Sequence, residues 1–170
     1  MRKKTSPPNS GLSLEGFFRI SIEEDGKIVG DSGWCKNQVT NLGIQNYIAY
    51  SLLGNAASTP TVAAAALGTG TAPATDSVTL PGEISASTKR QTALTTAFSS
   101  RSVGGGSATL QWVFTFYSVS SFVAATTNIS NIGLFNGTTT GNTLLCGNTY
   151  NSSQVATNQN VNCTYQIRIS

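Results

Sequence analysis

Seven carboxylates, three cysteines and no histidine are what any catalysis in this 170-residue chain would have to be built from. The missing histidine removes Ser-His-Asp and Cys-His nucleophilic machinery, an imidazole general base, and most zinc sites. The acids are Glu15, Glu23, Glu24, Asp25, Asp31, Asp76 and Glu83. A glycosidase needs two carboxylates facing each other across a cleft, and no spacing here sets up such a pair. Glu23, Glu24 and Asp25 fall together before a glycine, at the expected tip of a hairpin where water solvates them. A calcium loop would need an Asp-x-Asp ladder, which is absent. Cys35, Cys146 and Cys163 are far apart and form no CxxC pair, so neither a zinc knuckle nor a thioredoxin-type motif is available. They read as small buried hydrophobes kept reduced in a cytoplasm, with one disulfide and a leftover thiol as the alternative. The expectation is a protein that is not an enzyme and uses neither metal nor cofactor.

The residues that could bind something are equally sparse. Gly68-Thr69-Gly70 lacks the Gly-Lys-Ser/Thr ending of a phosphate loop and runs into Ala72-Pro73, so it reads as a turn. Gly104-Gly105-Gly106 reads as a hairpin tip. Trp34, Trp112, Tyr117, Tyr150 and Tyr165 could line a sugar-binding face, but strand aromatics are more often core. Tyr117 is out of phase with Leu110, Trp112 and Phe114 and is the better candidate for exposure. Arg2, Lys3 and Lys4 supply a basic cluster whose contacts would be with neighbouring subunits. The net charge is only +3, so binding to nucleic acid is not expected. The sequons at Asn128, Asn136, Asn151 and Asn162 are expected by chance in a chain this rich in Asn, Ser and Thr. No signal-peptide core and no run of about 20 apolar residues occur, so no secretion and no membrane-spanning helix are expected.

These side chains must be carried by elements, and the pattern is one of strands. Charged residues make up 10% of the chain, against about 25% in an average globular protein. Hydroxyls and amides take their place, as on the faces of a β-rich domain. Phe18, Ile20 and Ile22 alternate with polar residues, and Asp25-Gly26 is a strong hairpin signal before the return strand at Lys27–Val29. Further strands are expected at Val62–Leu67, Lys89–Phe98, Leu110–Phe116, Ile129–Phe135, Leu144–Cys146 and Val161–Ile169. Leu110–Phe116, the heaviest, should cross the middle of the core. One helix is expected over 42–53, with Asn41 as its N-cap, Gly54 at its end, and Gly43 weakening it by roughly 1 kcal/mol. Residues 1–13, with the Pro7-Pro8 pair, read as an extended arm, and 14–170 as a single domain. The class is all-β: an antiparallel β-sandwich of jelly-roll type with one α-helix and an N-terminal arm.

From Asn37 onward the chain resembles a group of small virion proteins of tailed bacteriophages, of the decoration and tail or fibre type. The resemblance rests on Val39-Thr40-Asn41-Leu42-Gly43, on Ala66-Leu67-Gly68-Thr69-Gly70-Thr71-Ala72-Pro73, on Asp76, Leu80, Glu83 and Arg90, on the aromatic strand Leu110–Phe116, and on Ile129-Ser130-Asn131-Ile132-Gly133-Leu134-Phe135. It covers roughly residues 37–146 and implies a structural role without naming a catalytic residue. The expected function is therefore that of a capsid decoration (cement) protein. It would assemble as a homo-oligomer, most simply a trimer, bind the major capsid protein or other virion proteins, and reside in the particle. A tail or fibre component binding a host glycan, and a secreted carbohydrate-binding domain, are the alternatives.

Overall fold

The computed structural model describes residues 13–50, 61–84, 89–99, 107–139 and 141–170, the side chains of 97–99 excepted. Its strands are β1 Leu14–Glu24, β2 Lys27–Val39, β3 Ala64–Gly68, β4 Gln91–Thr92, β5 Thr95–Ser99, β6 Ala108–Phe116, β7 Thr127–Phe135, β8 Leu144–Val155 and β9 Asn160–Ile169. All pair antiparallel in one sheet of order β4-β3-β7-β8-β2-β1-β9-β6-β5.

The β1–β2 hairpin follows directly from its sequence. Phe18, Ile20 and Ile22 are buried while the residues between them are not. Asp25 and Gly26 have φ of 50° and 75°, the two positive values that a tight hairpin turn with the right-handed strand twist requires. The return strand runs beyond Val29, with two register shifts against β1, between Arg19 and Ser21 and between Ile22 and Glu23. Ser32 Oγ accepts the Ile20 N–H at 2.9 Å within the first of these bulges. The strand then continues to Val39.

That length turns the sheet over. β2 pairs with β1 from Lys27 to Asn37, and with β8 at Gln38 and Val39. The pairing is thus continuous, and the architecture is one nine-stranded sheet curled around its core rather than two separate sheets. Side chains from both arms of the curl meet inside: Phe18 of β1 stacks on Tyr165 of β9 at 5.8 Å and meets Tyr150 of β8 edge-on at 6.2 Å. Ile129, Ile132 and Leu134 of β7 join the same cluster as Phe114 and Phe116 of β6.

The expected strand at Lys89–Phe98 divides in two. β4 pairs with β3 at one edge of the sheet, and β5 pairs with β6 at the other. Ala93 and Leu94 alone separate them, so three Cα–Cα steps of about 3.8 Å hold the two edges within about 11 Å at that point. Such a crossing is available only because the sheet is curled. β6 accordingly lies next to an edge, with Phe114 and Phe116 buried and Leu110 and Trp112 half-buried.

The helix α1 is an α-helical turn, Asn41–Gly43, running into a π-helical stretch, Ile44–Ala49. Its cap is Thr40 rather than Asn41. Thr40 is fully buried; its Oγ accepts the Gly43 N–H at 2.9 Å and donates to Leu144 O at 2.8 Å, which pins the helix to β8. Gly43 is required by packing: a Cβ there would lie 2.0 Å from Leu145 O. Residues 51–53 of the expected helix lie outside the described residues, as do Gly54, the arm through residue 12 and the glycine run at 104–106. Among the described residues no helix is long and apolar enough to cross a membrane.

Candidate functional site

Residues from three of the sequence motifs, Gly68–Thr71, Glu83 with Arg90, and Ser130-Asn131, meet in one buried knot. β3 pairs with β7 so that Gly68 lies opposite Asn131. Asn131 is fully buried, and its Nδ2 donates to Thr71 O and Pro81 O, both at 2.8 Å. Ser130 Oγ donates to Gly70 O at 2.8 Å. A side chain at position 68 would meet Asn131 Oδ1 at 2.3 Å, so the glycine turn is closed by protein atoms and holds no open nest of N–H groups. At the edge of the knot Arg90 forms a two-pronged pair with Glu83, Nε to Oε1 at 2.7 Å and Nη2 to Oε2 at 3.0 Å. Its third nitrogen, Nη1, donates to Gly137 O and Thr139 O at 3.3 and 3.0 Å, and the guanidinium lies 3.6 Å from the Phe135 ring centroid. Both side chains are almost wholly buried, at 3% and 10% exposure. Through Arg90 the constellation fastens Gly137 and Thr139, between β7 and β8, to Glu83. With both Glu83 oxygens engaged by Arg90, it offers no free acid or base.

The interior thiols and phenols are likewise withheld from chemistry. All three cysteines are free; Cys146 and Cys163 are buried and Cys35 half-buried. Burial pushes the Cys146 thiol up to about 12 and raises Cys163 as well, so both stay protonated at neutral pH and supply no thiolate. The hydroxyls of Tyr47, Tyr150 and Tyr165 are raised by the same desolvation. Tyr47 donates to Thr143 O at 2.6 Å, tying α1 to the start of β8. Among the described residues no three His, Cys, Asp or Glu side chains gather as metal ligands would.

The surface shows three features. On the outer face of β1 and β2, Arg19 Nε donates to both Asp31 oxygens at 3.0 and 3.1 Å. Arg19 and the Gly33 N–H hold the Asp31 carboxyl down to about 2. Trp34, directly opposite Arg19, is half exposed at 50%, so this aromatic is not core; Tyr117 is exposed as expected. At the hairpin end, Glu24 accepts from Asn158 and Gln159, each at 2.8 Å, and Glu23 from Asn162 at 3.1 Å. The predicted contact residues Arg2, Lys3 and Lys4 lie outside the described residues.

At the other end of the sheet an open apolar cavity of about 410 Å³ is lined chiefly by Leu14, Tyr47, Ile48, Leu110, Trp112 and Ile169. Sequence reasoning missed it because its walls come from separate elements. The one available signal was that Leu110 and Trp112, in phase with Phe114, stand at the beginning of their strand. Compared with known protein families, with curated proteins and with solved structures, the chain matches none.

Proposed function

We propose that this protein is a non-enzymatic structural component of a bacteriophage particle, most simply a capsid decoration protein that stabilises the shell through subunit contacts. The observation supporting this reading is the buried knot. Glu83, Arg90 and Asn131, the polar motif residues brought together there, hold loops to strands. A protein whose polar motif residues serve rigidity fits a role in which the folded surface itself is the product. In this reading the two arms of the curled sheet act as the layers of a β-sandwich of jelly-roll type. The surface, low in charge and rich in Ser, Thr and Asn, packs against copies of itself with little desolvation cost compared with a charged one. The basic arm tethers the domain to a neighbouring subunit, contributing charge contacts and main-chain hydrogen bonds.

The test is reconstitution on particles that lack the protein. Full-length protein should bind them and raise the temperature at which the shell opens. A chain beginning at Ser13 should keep its own melting temperature yet bind more weakly. Replacing Arg2, Lys3 and Lys4 by alanine should reproduce part of that loss, mainly at low salt. Failure of the full-length protein to bind or stabilise any particle contradicts the decoration role. The fibre alternative has one observation in its favour, the half-exposed Trp34 beside Arg19. It requires that Trp34→Ala abolish binding to host-surface glycan.

A further inference from the structure

The curled sheet has a weak seam between β2 and β8, and we infer that it opens there without unfolding the rest of the molecule. The inference goes beyond the assembling role and does not depend on it.

The seam is short. β2 and β8 join through two residue pairs, Gln38 with Gly147 and Val39 with Cys146. By contrast, β1 pairs with β9 from Leu14 opposite Ile169 to Glu23 opposite Asn160, and β9 pairs with β6 from Ala108 to Phe116. Beyond the seam β2 stays with β1 as far as Lys27, and β8 stays with β7 as far as Val155, so the two strands part. Asn148 bridges the parting, its Nδ2 donating to Lys36 O at 3.1 Å. Main-chain groups along the parted stretches are bonded by near neighbours. Asp31 Oδ1 accepts the Gly33 N–H at 2.9 Å, Ser32 Oγ donates to Gly33 O at 2.8 Å, and Asn148 Oδ1 accepts the Thr149 N–H at 2.8 Å. These bonds survive when the strands separate, so opening orphans few backbone groups.

The interior beneath the seam also favours opening. Asn37 adjoins the seam pair at Gln38, and a Cβ on Gly16 of β1 would collide with its Nδ2. Its side-chain oxygen and nitrogen are buried without a hydrogen-bond partner, as is the Tyr165 hydroxyl. The Cys146 thiol lies beside both and is a weak donor and acceptor. Water admitted through an open seam supplies the hydrogen bonds these atoms lack, which offsets part of the cost of breaking two residue pairs. Against opening stand Thr40, whose N–H and hydroxyl bond Leu145 O and Leu144 O at 3.0 and 2.8 Å, and the edge-on packing of Phe18 on Tyr150. The apolar cluster spans both arms of the curl, so the opening is local to 37–40 and 145–147 and the arms stay together.

The free cysteines read this out. Cys146 and Cys163 are both fully buried, so depth does not distinguish them. Their places in the sheet do: Cys146 is in the seam, whereas Cys163 is paired with Ile20 on one side and Phe114 on the other. The test is alkylation of the native full chain by a small maleimide, at a concentration where reclosing outruns labelling. Each cysteine is followed by peptide mass spectrometry, and its rate is normalised to that in urea-unfolded protein. Cys146 should label at least about 100-fold faster than Cys163, the mark of a local opening well below global unfolding. In urea below the transition the Cys146 rate should rise shallowly, and the Cys163 rate with the full slope of unfolding. Asn148→Ala, which removes the bridge to Lys36, should raise the ratio of the two rates about threefold or more, the worth of one hydrogen bond. Equal normalised rates with equal urea slopes overturn the inference, because both thiols would then wait for global unfolding. An unchanged ratio in Asn148→Ala places the opening elsewhere and overturns it too. The wild-type comparison decides the matter even where that variant fails to fold.

Discussion

At the scale of single residues, the buried Arg90–Glu83 pair is the feature most sensitive to substitution. Removing one partner strands a charge in the interior, so Arg90→Ala should cost about 3–5 kcal/mol in urea unfolding. Arg90→Lys should also destabilise, because a lysine point charge replaces neither the fork on Glu83 nor the planar stack on Phe135. Replacing both partners, Arg90→Met with Glu83→Leu, should recover most of the loss. A double variant as unstable as Arg90→Ala would mean that the bonds to Gly137 and Thr139, not the charge pair, dominate. Asp31 makes a separate prediction about pH. Its carboxyl is held at about 2 in the folded protein, chiefly by Arg19. A group whose folded pKa is depressed stabilises above its unfolded value and loses that stabilisation as pH falls through the folded one. Acid titration should therefore show a small stability loss between about pH 4, the ordinary aspartate range, and pH 2. Asp31→Asn should remove that component; an unchanged profile would show the exposed pair to be fully screened.

At the scale of elements, Gly43 separates propensity from packing. Host–guest preferences alone favour Gly43→Ala by about 1 kcal/mol. The carbonyl of Leu145, 2.0 Å from the would-be Cβ, makes the same change an overpacking that should cost more than that gain. A raised unfolding midpoint for Gly43→Ala would mean that α1 can shift away from β8. The same contrast marks what was legible in the sequence. Strands β1 and β9 were readable because one face of each is core, so period-two alternation survives in their residues; β7, buried on both faces from Asn131 to Phe135, was readable from its apolar residues. The Asp25-Gly26 turn was readable because its chemistry is local. The cap moved from Asn41 to Thr40 because a partner some hundred residues away, Leu144 O, selects the buried hydroxyl. The division of Lys89–Phe98 into β4 and β5 was hidden because pairing partners, not local pattern, decide where a strand stops. The continuity of the curled sheet was hidden for the same reason, since it depends on β2 reaching β8 with its last two residues. Of the site, Arg90 and Asn131 stood in the motifs, but their roles emerge only where β3 and β7 meet Pro81, Glu83 and Arg90.

At the scale of the whole molecule, a chain of low charge folds into one curled sheet whose buried ion pair, Arg90–Glu83, is fully engaged. The proposed particle role makes copy number the most direct test. The measurement is quantitative mass spectrometry of purified particles carrying this protein, counted against the major capsid protein. The account predicts a fixed stoichiometry that matches a set of symmetry-related shell sites. A protein absent from intact particles, or present at a few variable copies, would contradict it.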